Sequence, residues 1–96
     1  MEKQFIQKAT ALKYDNQKDS APKVIAQGSR ETANNIIKIA KEFEIPIKKD
    51  EDLVEMLSQI ELNRQIPVEL YQAVAEVFSF VYEISNEKGD DEKKDQ

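Results

Sequence analysis

Pro22-Lys23-Val24-Ile25-Ala26-Gln27-Gly28-Ser29 is the stretch on which the fold turns. A proline opens it where a missing N–H costs a strand little, β-branched residues fill it, and a glycine closes it. It reads as a strand over 22–28 that feeds a helix. Ser29 can cap that helix with its hydroxyl, and Ala33, Ile36, Ile37, Ala40 and Phe43 then recur every three or four residues. The spacing predicts a helix over 29–43. Strands alternating with amphipathic helices are the pattern of an α/β domain.

Upstream, Ala9 to Tyr14 is short and roughly alternating, which predicts a strand over 7–14, and Asp15 to Ser20 is a polar run that reads as a turn or loop. Downstream, Pro46 forbids helical continuation and pushes Ile45 toward extended geometry, so Glu44-Ile45-Pro46-Ile47 is read as a third strand. Asp50 starts a second helix with Glu51 and Asp52 at its positive end; Leu53, Met56, Leu57 and Ile60 follow at helical spacing, and the helix should stop near Ser58. Gln59-Ile60-Glu61-Leu62 is read as a fourth strand, left through Asn63, a residue type that tolerates positive φ.

Pro67 suits the first position of a third helix, and the run from there to Ile84 holds neither glycine nor proline. Its apolar positions, from Leu70, Tyr71, Val74 and Ala75 to Val77, Phe78, Val81 and Tyr82, cover more than half the circumference. This predicts the core's central helix. The expected order is β-β-α-β-α-β-α, a small sheet of about four strands packed with three or more helices. It forms one domain over 7–85, between a flexible N-terminus (1–6) and a disordered tail of mixed charge (86–96) that contains no apolar residue.

Composition excludes several functions. Among 96 residues there is no cysteine for a thiolate site and no histidine, the usual general base and metal ligand. With two glycines, at Gly28 and Gly89, neither a dinucleotide fingerprint nor a P-loop can be built. An enzyme is not expected, nor a cofactor or a bound metal. Fourteen basic against nineteen acidic residues leave a net charge of −5, the wrong sign for a nucleic-acid surface. Apolar runs stay far below the roughly 20 residues that span a bilayer. A cytoplasmic chain without membrane insertion is expected.

Four blocks in order, Ala9 to Tyr14, Ala21 to Gly28, Glu44 to Ile47 and Gln65 to Val77, resemble the cytoplasmic domain of the FlhB/YscU family, the export-switch proteins of bacterial type III secretion. The resemblance covers about residues 4–84 and implies a small sheet wrapped by helices. Family members carry Asn-Pro-Thr-His before the first strand and cut themselves after the asparagine, whose side-chain amide attacks its own carbonyl carbon. This chain has Gln4-Phe5-Ile6-Gln7 there. Glutamine would need a six-membered ring, and the proline that helps hold the turn is gone, so self-cleavage is not expected. With Met1 only a few residues before the altered motif, the chain resembles the C-terminal cleavage product made as a separate polypeptide, which has no need of a scissile bond.

The resemblance further implies partners: components of the flagellar export apparatus, rod- and hook-type export substrates, and a truncated membrane-bound FlhB. Docking would occur at the cytoplasmic face of the export gate. A competitor that occupies the same surface without supporting export is the alternative. By position, the family's substrate-binding patch falls on Ala21, Pro22, Ala75 and Phe78, with Phe78 in place of the usual leucine. Helical spacing by itself favours the other reading, in which Ala75 and Phe78 are simply core. The acidic run Asp50, Glu51, Asp52 and Glu55 could be read as a cation site or a docking face; dipole complementation on a solvated helix explains it more simply.

Overall fold

The computed structural model describes residues 6–15 and 17–81. Its elements are β1 (Lys8–Lys13), β2 (Lys23–Ser29), α1 (Glu31–Glu42), α2 (Glu51–Leu57), a single 3-10 turn at Val68–Leu70, and a helix, α3, over 71–81. The mixed α/β architecture is the expected one. The strands pair antiparallel from Lys8 opposite Ser29 to Lys13 opposite Lys23. Ala11 faces Ala26 while Leu12 faces Val24, so Ile25 is an extra residue, a β-bulge.

The expected four-stranded sheet is not seen: among the described residues there are two strands and one isolated bridge, Lys23 to Gln65. Ile45-Pro46-Ile47 is unpaired because α1 ends in a Schellman motif. The Ile45 N–H donates to Ala40 O (2.8 Å) and the Glu44 N–H to Lys41 O (3.2 Å), with Glu44 at φ 57°. Ile45 has thus spent its donor on the helix, and Pro46 has none to give. Gln59 to Leu62 fails as a strand for a related reason, since the N–H groups of Gln59 and Ile60 bond back to Met56 O and Leu57 O.

The second edge of β2 is met by the next residues along. Asn63 N–H donates to Val24 O (2.6 Å), Val24 N–H to Arg64 O (3.0 Å), and Ile66 N–H to Pro22 O (2.9 Å). Asn63 makes this turn with φ 67°, as its residue type allows.

Two helix starts also differ from expectation. β2 runs on through Ser29, so Arg30 at φ 56° is the N-cap of α1 and no side chain caps it. Its N–H is held by Gln7 O at 2.7 Å. Pro67 caps the 3-10 turn that precedes α3. Asp50 does cap α2, its carboxylate accepting from the Leu53 N–H at 3.0 Å, and Ser58 ends that helix. The expected tail over 86–96, the residues before Ile6, and Tyr82 to Ile84 lie outside the described residues.

Leu12 and Val24 face α2 and α3 and join the core of Ala21, Val24, Leu53, Leu57, Ile66 and Val74. α1 covers the other face of the sheet through Ala33, which is fully buried. Gly28 permits that approach, because a Cβ there would overlap the Thr32 side chain. The left-handed C′ residue of α1 supplies a stability test. An L-residue in this conformation costs roughly 1 kcal/mol that glycine avoids. Glu44→Gly is therefore expected to raise unfolding stability by about 0.5–1 kcal/mol, measured by urea denaturation; a loss of stability would disprove the motif.

Candidate functional site: an apolar groove between the β2 loop and α3

The loop before β2 is braced by its own hydrogen bonds. Asp15 O accepts from the N–H groups of Lys18 (3.0 Å) and Asp19 (2.7 Å), and the Asp15 carboxylate accepts from the Gln17 N–H at 2.9 Å. Asp19 returns a carboxylate oxygen to the Asp15 N–H at 3.1 Å. An Asx turn of this kind gives the chain a local substitute for a sheet ladder and sets where Ala21 and Pro22 emerge. Pro22 O is then fixed by the Ile66 N–H.

Across from this loop, α3 presents Tyr71, Val74, Ala75 and Phe78, which share one face at three- and four-residue spacing. The two walls enclose an open groove of about 460 Å³. Ala21, Ile66 and Val74 are buried and form its floor, and Pro22 and Phe78 are half-buried walls. Ala75 lies exposed on the rim. Tyr14 closes one end, its ring centroid 5.9 Å from that of Phe78 at a tilt of 55°. The polar groups at the edge include Ser20, whose hydroxyl donates to Gln65 Oε1 at 3.3 Å, and Ser79.

All four residues of the expected patch, Ala21, Pro22, Ala75 and Phe78, therefore line one cavity. Ala75 is not core. Phe78 is both, packed against the core cluster and open to the groove. Tyr14, Ser20, Ile66, Tyr71, Val74 and Ser79 complete the lining; none was expected in the patch, although the helical stripe at 71, 74, 75 and 78 signals Tyr71 and Val74. Burying a single Leu, Phe or Met side chain in such a groove contributes about 1.5–3 kcal/mol. That suits reversible docking of an apolar segment.

Asp50 is occupied as a cap, and Glu55 receives Lys8 Nζ at 2.8 Å, tying α2 to β1. Of the positions where the resemblance would place a cleavage motif, Gln4 and Phe5 lie outside the described residues, Ile6 is exposed, and Gln7 serves Arg30 through its carbonyl. Among the described residues no helix is long and apolar enough to cross a membrane.

Fold and groove together define a small α/β domain with an open apolar cleft on one side of its sheet. The chain belongs to the FlhB HrpN YscU SpaS family, whose model matches residues 6–81. It is 52% identical over 79 residues to the uncharacterized protein YlqH of Bacillus subtilis, covering 82% of this chain and 85% of that one. With the flagellar biosynthetic protein FlhB of Salmonella typhimurium it shares 40% identity over 77 residues, 79% of this chain and 20% of the relative. It thus spans about a fifth of the flagellar proteins it matches.

Among solved structures, the cytoplasmic domain of FlhB from Shewanella putrefaciens superposes with a TM-score of 0.79 at 34% identity, covering 85% of this chain and 64% of that one. The PscU C-terminal domain does so with a TM-score of 0.73 at 27% identity, over 77% and 95%.

Proposed function

We propose that this chain is a non-cleaving, protein-binding component of the flagellar type III export apparatus. It acts in the cytoplasm at the export gate and supplies the role that relatives give to their cleaved C-terminal fragment, in export and in switching substrate specificity. The observation that supports this reading is the convergence of Ala21, Pro22, Ala75 and Phe78 on one apolar groove. Rod- and hook-type export substrates are its ligands, docking through apolar side chains. No catalytic step is assigned, since the chain lacks both histidine and cysteine. The match to YlqH over most of that protein's own length supports a role for the domain apart from any membrane-embedded portion.

Gln4-Phe5 in place of the asparagine and proline supports the absence of self-cleavage. Purified protein held for days at neutral pH is expected to keep its full mass by mass spectrometry; a fragment cut near Gln4 would overturn this part. The function itself is tested by expressing the chain in cells whose FlhB lacks its C-terminal fragment. Restored secretion of hook subunits is expected. Inhibition of export without rescue would establish a competitor for the docking surface in its place, a reading to which Phe78, larger than the family's leucine, lends some support.

A further inference from the structure

Two tyrosines of the apolar groove carry polar groups that the docking of apolar side chains leaves unused. Tyr14, directly after β1, and Tyr71, at the start of α3, both line it. They are exposed by 41% and 44%. Among the described residues neither hydroxyl makes a hydrogen bond, whereas the Ser20 hydroxyl at the same edge is engaged with Gln65. A tyrosine in an apolar wall with an uncommitted hydroxyl offers a donor and an acceptor to whatever enters.

Both rings are set in place by the fold. The Tyr14 ring leans on Phe78, and the N–H of the next residue, Asp15, is held by the Asp19 carboxylate. Phe78 lies seven residues beyond Tyr71 on α3, about 10 Å at 1.5 Å per residue. The two tyrosines therefore stand toward opposite ends of the groove, with buried Val74 midway along the helix between them. A span of about 10 Å is the rise of three extended residues. An extended segment laid across it carries main-chain N–H and C=O groups that lose water in the groove and need partners. The interior main-chain groups of a docked helix are already bonded to one another and would leave both hydroxyls idle.

We infer that the hydroxyls of Tyr14 and Tyr71 hydrogen-bond to the main chain of the bound export substrate, whose docking segment is extended and sets an apolar side chain over Val74. This rests on the function proposed for the groove and adds to it two binding residues and the conformation of the ligand.

Tyr14→Phe and Tyr71→Phe remove the hydroxyls and keep the rings. In calorimetric titration of the full chain with purified hook subunit, each variant should bind about three- to tenfold more weakly, the loss expected for one hydrogen bond. Denaturation midpoints should stay where they are, because neither hydroxyl bonds to another described residue in the free protein. In isotope-labelled hook subunit, the α-carbon chemical shifts of the segment that the groove immobilises should move toward the extended range. The inference falls, and the function of the groove stands, if Pro22→Asp weakens binding while both tyrosine variants bind like the wild type. It falls in the same way if the immobilised segment shows helical shifts. If the wild-type chain does not bind hook subunit, the proposed function and the inference fall together.

Discussion

Leu57→Ala is expected to lower the unfolding free energy by about 3 kcal/mol, within the roughly 2–5 kcal/mol measured for truncating a buried leucine. Leu57 is 4% exposed at the end of α2, in the cluster that also holds Ala21, Ile66 and Val74. Those three residues are the floor of the groove. The core is small, with seven buried apolar residues among the described ones, so little surrounding mass is available to fill the cavity. A domain of this size has about 5–10 kcal/mol of net stability, and each kcal/mol moves Tm by about 4–8 °C. Thermal denaturation followed by circular dichroism should therefore show a midpoint lowered by more than about 10 °C. A loss below about 1 kcal/mol would mean that α2 does not anchor the core.

Pro22→Asp is expected to weaken binding of rod or hook subunits at least about tenfold while the protein stays folded, because a carboxylate at the groove wall would have to be desolvated without a partner. Backbone geometry limits the structural cost. The Ile66 N–H bonds to the carbonyl of residue 22, which aspartate retains, and no N–H is demanded of Pro22. Losing the proline restores freedom to the unfolded chain, a cost of about 0.4–1 kcal/mol. Isothermal titration with purified hook subunit reads the affinity, and a denaturation curve checks the fold. Unchanged affinity in the folded variant would remove this groove from substrate binding.

Both strands, all three helices and the cap at Asp50 were legible from residue pattern, because each rests on interactions within a few residues: β-branched runs, apolar spacing, a carboxylate beside free N–H groups. Asn63 was legible for the same reason, as a residue type suited to positive φ. The misplaced strands share one cause. Ile45, Gln59 and Ile60 look extended by composition, yet their N–H groups bond to the preceding helices, and nothing in composition records where a donor goes. Glu44 hid the end of α1 because the left-handed position usually marked by glycine holds glutamate here. Ser29 looked like a cap until pairing with Lys8 kept it in the strand.

The four groove residues were placed by family resemblance, and periodicity alone could not separate Ala75 on the rim from Val74 on the floor. A helical stripe reports which side chains share a face, while exposure depends on what stands opposite. Here it is the hydrogen-bonded loop from Asp15 to Pro22 that leaves a gap in front of α3. Local chemistry thus settled the α/β class and the approximate helix positions. Long-range packing settled the strand count and the groove, because pairing and burial are relations between segments distant in the chain.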